Sequence, residues 1–341
     1  MRLLPFGELS AADLDTWHRV RQAGPALDSP YFHPAFAAAV DASGTPVHVV
    51  VGDGVFMAGH REGRLLRPAG WPGADFQGPV VAEGAAFDPL DLLVGGVAAV
   101  AFDHLVDGLP GFERWTISRA ASPYIEVGGG LEGYLGRASR SGRDNLAQAR
   151  RRAAKAGREL GELRFVADSL DRGDLARVVE LKRRQYAATG VRDHFAEPAR
   201  VALVERLLGA REDGFAGMLS TLHAGPHLLA AHFGIRSGEV LHWWFPVYDP
   251  EFGRLAPGWM LLRELVMAAP ELGITRIDLG RGDDEYKRRA KTGESLVARA
   301  VVTRNPLRVL AGKGLEAARP YLRRVKRAVR NVPNRAGDVQ E

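Results

Sequence analysis

Short alternating apolar runs in the second half of the chain predict an antiparallel β-meander. Three β-rich segments, Phe215–His223, His227–Ile235 and Glu239–Val247, are separated by turns of three residues. Turns this short place consecutive strands side by side in opposite directions. The alternation in the third segment predicts two faces, one with Leu241, Trp243, Phe245 and Val247 and the other with His242, Trp244 and Pro246.

A helix and another strand are predicted directly after the meander. Gly258–Ala269 has helical spacing and is followed by helix-ending signals at Pro270 and Gly273, and Ile274–Leu279 is the next β-type run. A strand, a crossover helix and a second strand form a βαβ unit, so the third and the last runs are expected to lie parallel. The sequence therefore predicts an α/β fold with a mixed sheet.

Earlier segments predict a second α/β unit and a link between the two. Gly128-Gly129-Gly130 marks the end of the first unit. Ser139 to Leu160 is polar with little apolar face, which is typical of a helix that bridges two units. Predicted helices are Ala11–Gln22, Pro34–Val40, Asp174–Ala188 and Pro198–Ala210, and further strands are Val47–Val51, Val55–Ala58, Glu113–Ile117 and Leu163–Ala167. We expect an N-terminal domain at 1–130, a basic helical connector at 131–162, a C-terminal domain at 163–303 and a basic tail at 304–341.

Composition and charge narrow the classes of function. Hydrophobic residues make up 46% and charged residues 26%, a globular balance, and no apolar run approaches the roughly 20 residues that span a bilayer. Glu8 precedes any apolar stretch of a signal peptide, so we expect a cytoplasmic protein. Because the chain has no cysteine, thiol catalysis and cysteine-ligated zinc are excluded. Residues 1–130 contain 8 basic and 15 acidic side chains, which argues against a nucleic-acid partner.

Two local segments are strongly basic. Arg137–Arg158 has eight basic residues against Asp144 alone, and residues 304–341 have 10 basic and 3 acidic side chains. The first segment is interpreted either as a solvated connector or as a surface for an anionic partner. The second is interpreted either as a docked or frayed tail or as an amphipathic helix in peripheral contact with the inner face of the membrane.

The loop that leads into Gly258–Ala269 has features of a phosphate site. The first turn of a helix has backbone N–H groups without partners, and the helix dipole adds positive potential there. Gly258 would let a phosphate approach the backbone, and Arg254 would neutralise charge. This suits the pyrophosphate of coenzyme A; the alternative is that Pro257-Gly258 only begins a helix.

These segments together resemble a known family. The residues that carry the resemblance are Arg254-Leu255-Ala256-Pro257-Gly258, Ile277-Asp278-Leu279-Gly280-Arg281-Gly282-Asp283, Tyr286-Lys287, Ser29-Pro30-Tyr31-Phe32, Ser122-Pro123-Tyr124 and Tyr248-Asp249-Pro250. They resemble the CelD/BcsL-type (BioF-like) acetyltransferases of the GNAT superfamily. The resemblance covers about residues 1–303 and implies two GNAT-like units in tandem, as in Fem-type ligases, with the C-terminal unit better formed.

The resemblance also implies a site and a co-substrate. The thioester of acetyl-CoA or another acyl-CoA would lie between the two parallel strands, and the acyl group would pass to an amine or hydroxyl acceptor. Tyr286 is the expected acid for the leaving thiolate, while His242 and Asp278 are candidate bases, each with a structural role as the alternative. The expected coenzyme A contacts are Arg254, Pro257, Gly258, Trp259 and Lys287. We expect no metal, because the turn Gly225-Pro226 keeps His223 and His227 from sharing a helix face.

The leading hypothesis is thus a GNAT-type N- or O-acyltransferase with a small-molecule or saccharide acceptor. The resemblance implies a place in polysaccharide or cell-envelope biosynthesis. A Fem-like transferase that takes its acyl group from charged tRNA is the first alternative. The second is a non-catalytic accessory protein of an exopolysaccharide machine.

Overall fold

A computed structural model describes residues 1–212, 214–305, 307 and 309–314. The helices of this part are α1 (Ala11–Ala23), α2 (Pro34–Ala42), α3 (Gly130–Arg137), α4 (Arg140–Leu160), α5 (Arg172–Thr189), α6 (Pro198–Leu208), α7 (Pro257–Ala268) and α8 (Glu285–Ala290). The strands are β1 (Arg2–Pro5), β2 (His48–Gly52), β3 (Val55–Glu62), β4 (Leu65–Pro68), β5 (Val80–Val81), β6 (Ala99–Val106), β7 (Thr116–Glu126), β8 (Leu163–Ser169), β9 (Arg211–Glu212), β10 (Phe215–Ala224), β11 (His227–Ser237), β12 (Val240–Tyr248), β13 (Arg276–Asp278) and β14 (Gly293–Thr303).

The two halves of the chain repeat one order of elements. The first half runs β1-α1-α2-β2-β3-β4, and the second runs β8-α5-α6-β10-β11-β12. In each half the last strand of the meander pairs in parallel with a later strand, β4 with β6 and β12 with the three-residue β13. Only the second half has an α-helix, α7, in this crossover; the first half has a 3-10 turn at Pro89–Leu92. The fold is therefore a tandem arrangement, as expected, with the C-terminal copy more complete.

The halves exchange strands within one continuous sheet. Its order is β1-β2-β3-β4-β6-β14-β7-β13-β12-β11-β10-β8, with β5 beside β3 and β9 beside β10. Strand β7 of the first half lies between β13 and β14 of the second, and β14 lies between β7 and β6. Both exchanged strands are antiparallel to their neighbours. Neither half completes its sheet without a strand from the other.

The two largest buried apolar clusters each contain side chains from both halves of the chain. One buried cluster joins Trp17 and Phe36 of the first half to Leu207 and Phe245 of the second. A second cluster lies under α7 and includes Ile125 of β7. Because both clusters take side chains from both halves, their apolar burial stabilises the two units together.

Most predicted elements are found near their expected positions, although the strand predicted at Val55–Ala58 continues to Glu62. Two further predictions differ more. The strand expected at Glu113–Ile117 begins at Thr116 and continues to Glu126, after a 3-10 turn. Helix α4 is not polar all round, because Leu146, Ala149 and Ala156 are buried against the cluster beneath α7. Small residues carry a weak apolar signal, and the charged residues between them obscured this face.

The structure describes only the beginning of the predicted basic tail. Most of the tail predicted at 304–341 lies outside the described residues. Val309 is described and packs into a third apolar cluster beside β6 and β14. No helix within the described ranges has the length and apolar character needed to cross a bilayer.

Candidate functional site

A cavity opens where β12 and β13 diverge. The two strands pair only from Val240 to His242 against Arg276 to Asp278, after which β12 continues to Tyr248 without β13. This first cavity has a volume of about 520 Å³. Its wall comprises Asp75, Lys182, Gln185, Trp243, Trp244, Pro246, Val247, Tyr248, Gly253, Ala256, Pro257, Gly258, Trp259, Leu262, Leu279, Asp284, Tyr286 and Lys287. Both halves of the chain therefore contribute to it, the first through Asp75.

A bulge in β12 shapes the wall of the first cavity. Phe233 pairs with Phe245, but Ile235 pairs with His242, so β12 has one extra residue between these pairs. The bulge breaks the alternation predicted for this strand. Trp243 packs with the cluster under α7, and its ring stacks on that of His232 with 4.0 Å between the ring centroids. Trp244 and Phe245 both belong to the other cluster, the one that contains Trp17 and Phe36, on the opposite face of the sheet. The prediction that Trp243 and Phe245 share a face was therefore wrong.

The first turn of α7 forms one end of the first cavity. Pro257 is its first residue, and no side chain among the described residues caps the turn. Ala256, just before it, has φ of 48°, the only positive φ outside glycine in the described ranges. Such a conformation costs about 1–3 kcal/mol and is typical of functional sites. A Cβ added to Gly258 would meet no atom within 4 Å, so the backbone here is open to the cavity.

Two lysines and two aspartates, Asp75 and Asp284, are the charged side chains of the first cavity. The Lys182 Nζ donates to the carbonyl oxygen of Pro246 at 3.3 Å and forms no ion pair with a described carboxylate. Burial, and then the charge of Lys287, lowers the pKa of Lys182 to about 8. The Lys287 Nζ donates to the carbonyl oxygens of Gly280 and Arg281, and burial lowers its pKa although Asp75 and Asp284 oppose the shift. The Lys287 Nζ also lies 3.7 Å from Asp284, so Lys182 is the cation of this wall that has no carboxylate partner among the described residues, and an anionic ligand would supply that partner.

Tyr286 lies beside Lys287 on α8 and lines the same cavity. Its ring packs against the cluster under α7. Burial raises the pKa of the phenol above its usual value, and the charges of Asp284 and Asp75 act in the same direction. The phenol is therefore protonated at neutral pH and can act as a proton donor in this cavity.

Asp75 brings a carboxylate from the first half of the chain to the cavity wall. Its Oδ2 accepts a hydrogen bond from Nε2 of His242 at 3.0 Å, and its Oδ1 is 3.4 Å from Nε2 of His104. Burial alone would raise the pKa of Asp75, but the His242 hydrogen bond and the charges of His242, His104 and Lys287 lower it below the ordinary value. The side chain keeps 26% of its surface exposed, so an ionised carboxylate faces the cavity.

The network behind Asp75 is buried and joins the two halves. The Nδ1 of His104 lies 3.0 Å from Asp103, whose backbone N–H donates to the side chain of Gln77. His242 is fully buried on β12, and its Nδ1 has no hydrogen-bond partner among the described residues. The network fixes the position of Asp75 because each of its carboxylate oxygens has an imidazole beside it.

The structure divides the residues predicted for the site. Tyr286, Pro257, Gly258, Trp259 and Lys287 line the first cavity. His242, Asp278 and Arg254 do not: His242 lies behind Asp75, Asp278 is buried in an ion pair with Arg276, and the Arg254 side chain is 70% exposed beside Glu159. Burial raises the pKa of Asp278 although Arg276 opposes the shift. The roles assigned to all eight residues stay predictions.

Sequence reasoning missed Asp75 and Lys182. Asp75 follows Trp71-Pro72-Gly73, an aromatic, turn-forming stretch that is a weak sign of a functional loop. Lys182 follows Leu181 in a helix whose apolar face was recognised, but a lysine beside such a face is usually solvated. Within the described residues, no group of three or more histidine, cysteine or acidic side chains is arranged to hold a metal.

Comparison with known proteins agrees with this geometry. Residues 140–288 match the family model described as "Acetyltransferase (GNAT) domain". No curated protein sequence matches the chain. The matched segment is thus similar to a GNAT domain, and it contains α7, the diverging strands and Tyr286.

Solved structures resemble the whole chain. The crystal structure of FemX is 12% identical with a TM-score of 0.59, covering 92% of this chain and 100% of that chain. The C-terminal domain of a protein described as a lysylphosphatidylglycerol synthetase, from Agrobacterium fabrum, is 14% identical with a TM-score of 0.56, covering 90% of this chain and 96% of that chain. L-PGS from Bacillus licheniformis is 10% identical with a TM-score of 0.53, covering 90% and 96%. At these identities the likeness concerns the fold.

Proposed function

We propose that this protein is an acyl-CoA-dependent N- or O-acyltransferase. The observation that carries the proposal is the position of the first cavity, which opens where β12 and β13 diverge and ends at the first turn of α7, a turn that no described side chain caps. A pyrophosphate at this turn would accept hydrogen bonds from backbone N–H groups, with Gly258 allowing close approach. Lys182 and Lys287 add the positive charge that an anionic co-substrate needs.

The cavity residues supply the groups that acyl transfer requires. The amine or hydroxyl of the acceptor attacks the thioester carbonyl carbon and gives its proton to the carboxylate of Asp75. The tetrahedral intermediate collapses, the C–S bond breaks, and the thiolate takes a proton from Tyr286. The ammonium group of Lys287, held nearby, stabilises the negative charge that develops on the carbonyl oxygen.

The acceptor is proposed from the resemblance to the CelD/BcsL-type proteins. Those relatives suggest a sugar-containing amine or hydroxyl in polysaccharide or cell-envelope biosynthesis. Acetyl-CoA is the simplest donor for such a reaction. The apolar part of the wall, with Trp244, Val247 and Leu262, suits the uncharged arm that links the pyrophosphate to the thioester.

A Fem-like transfer from charged tRNA is the second candidate. Its support is the similarity in fold to FemX and to the lysylphosphatidylglycerol synthetase domain. The exposed arginines of α4, among them Arg143, Arg150 and Arg151, would bind an RNA backbone. A non-catalytic accessory role, the third candidate, requires that the first cavity bind no acyl donor.

Direct comparison of the two donors tests the proposal. Acetyl-CoA and an aminoacylated tRNA are titrated separately into the protein at 50 and 200 mM salt. We expect acetyl-CoA to bind with micromolar affinity and the RNA to bind weakly with a steep loss at higher salt. Tight RNA binding without acetyl-CoA binding would favour the Fem-like reaction, and binding of neither donor would favour an accessory role.

A further inference from the structure

A second cavity also has Trp244 in its wall. It has a volume of about 460 Å³ and, like the first, is walled by both halves of the chain. Its wall includes Thr45, His60, Trp71, His194, Ala199 and Trp244. A cavity of this size at the junction of two units is a typical place for a small-molecule ligand.

The formal charges of the second cavity are compensated within its own wall and rim. Glu62 accepts from the Arg67 guanidinium at 2.9 Å. Glu197 pairs with Arg200 at 2.9 Å and with Arg192 at 3.0 Å. This differs from the first cavity, where Lys182 has no carboxylate partner among the described residues. The second cavity therefore offers no unpaired charge to an ionic ligand.

Two histidines of the second cavity, His60 and His194, are neutral. Burial lowers the pKa of His60, and burial followed by the charge of Arg200 lowers that of His194 to about 4. Both rings are neutral at neutral pH. The Nδ1 of His60 is buried without a partner, and the described contacts include no hydrogen bond to the Thr45 hydroxyl. Thr45 is half-buried at the cavity wall, and a ligand hydroxyl could form a hydrogen bond with its side chain.

Two tryptophans supply apolar surface beside these polar atoms. The Arg67 guanidinium lies 3.9 Å from the ring centroid of Trp71, which fixes the orientation of this ring at the cavity. Trp244 is fixed by its indole N–H, which donates to the carbonyl oxygen of Gly73 at 2.8 Å. Oriented indole rings beside neutral imidazoles, a hydroxyl and ion pairs match a molecule with one apolar face and hydroxyls around its edge.

From these features we infer that the second cavity binds a neutral sugar ring. The inference rests on the proposed function, in which this sugar belongs to the acceptor. The segment from Trp71 to Asp75 links the two sites, since Trp71 and Pro72 line the second cavity and Asp75 lines the first. Trp244 is common to both walls. A sugar held in the second cavity thus lies one indole ring away from the carboxylate that would take the acceptor's proton.

Ligand-observed NMR of the full chain tests this inference. The probes are N-acetylglucosamine and methyl β-glucoside, which are neutral, and glucuronate, which is anionic. We expect saturation transfer from the protein to both neutral sugars, with millimolar dissociation constants, and at least a fivefold weaker signal for glucuronate. No transfer to the neutral sugars, or stronger binding of glucuronate, would overturn the inference.

Matched variants locate the binding. Ala199→Trp places an indole in the second cavity and should abolish the signal, whereas Ala202→Trp, on the same helix but outside the cavity wall, should keep it. Thr45→Val, close to isosteric, should weaken binding about threefold to tenfold. Equal signals in wild type, Ala199→Trp and Thr45→Val would overturn the inference.

Acetyl-CoA is titrated into the same samples as an independent readout. Retention of its binding in Ala199→Trp shows that the first cavity is intact. Failure of acetyl-CoA to bind the wild type would contradict the proposed function alone, because sugar binding is measured without it. Sugar binding that fails while acetyl-CoA still binds would contradict the inference alone.

Discussion

The Oδ2 of Asp75, in the first half of the chain, lies 3.0 Å from Nε2 of His242, in the second. His242 is fully buried, while the carboxylate of Asp75 lines the first cavity. The residue that sequence analysis selected as a candidate base therefore supports another residue that reaches the cavity. Catalysis, in this account, depends on the contact between the halves.

Asp75→Asn should remove most acyl transfer while preserving donor binding. The amide keeps the shape of the side chain but cannot accept the acceptor's proton, so we expect kcat to fall about 10²- to 10⁴-fold. The measurement is the release of the coenzyme A thiol in the presence of amino-sugar acceptors. Asp283→Asn, at a side chain that is 87% exposed, is the control and should keep full activity. Undiminished turnover in Asp75→Asn would exclude Asp75 as the base.

Lys182→Met should stabilise the fold and weaken acyl-CoA binding. Because burial lowers the pKa of Lys182 to about 8, the folded chain holds this proton less tightly than the unfolded chain does. At pH 7 the buried charge thus opposes folding, and its removal should raise the free energy of unfolding by about 1–3 kcal/mol. The gain should shrink as the pH rises above about 8, where the folded protein loses the proton while the unfolded chain keeps it.

Thermal unfolding at pH 7 and pH 10, with a donor titration at pH 7, measures both effects. The dissociation constant of acetyl-CoA should rise about tenfold in Lys182→Met, equivalent to about 1.4 kcal/mol. Arg183→Met, the neighbouring position, with a side chain 53% exposed, controls for loss of a surface cation on α5. A variant that is less stable than wild type at pH 7 would show that the ammonium group stabilises the fold.

Removal of the first 130 residues should unfold the second half. Strand β7, which ends at Glu126, lies between β13 and β14, and Ile125 is fully buried under α7. A fragment of residues 131–341 leaves β13 and β14 with unpaired edges. We expect circular dichroism to show no cooperative thermal transition for it. A fragment of residues 114–341, which keeps β7, should recover part of the transition, and cooperative folding of the shorter fragment would support the predicted domain boundary instead.

The sequence predicted best the parts of the fold that are local. Strands β10 to β12 are joined by short turns, and the crossover through α7 follows at once, so their pairing was constrained by turn length and handedness. Strands β7 and β14 pair across more than 160 residues, as Tyr124 does with Gly293. Nothing in the local pattern of either strand specifies that partner.

For the site, as for the fold, the sequence predicted the residues that are close together along the chain. Pro257, Gly258, Trp259, Tyr286 and Lys287 lie in the local βαβ region and line the cavity. Asp75 and Lys182 reach it only through tertiary packing, the first from a loop of the other half. The bulge in β12 was also missed, because the extra residue is neither proline nor glycine and its only mark is Gly234 on the neighbouring strand.

The central claim is that the first turn of α7 binds the pyrophosphate of an acyl-CoA. Calorimetric titration of acetyl-CoA and free coenzyme A into wild type, Gly258→Ala and Gly258→Asp tests it most directly. An added Cβ at Gly258 meets no atom within 4 Å, so both variants should fold as wild type does, which their thermal transitions verify.

We predict micromolar binding to wild type, weaker binding to Gly258→Ala, and a loss of at least 100-fold in Gly258→Asp, where a carboxylate replaces the open space for the phosphate. Absence of binding to wild type, or equal binding to wild type and Gly258→Asp, would contradict the assignment of this turn as the coenzyme A site.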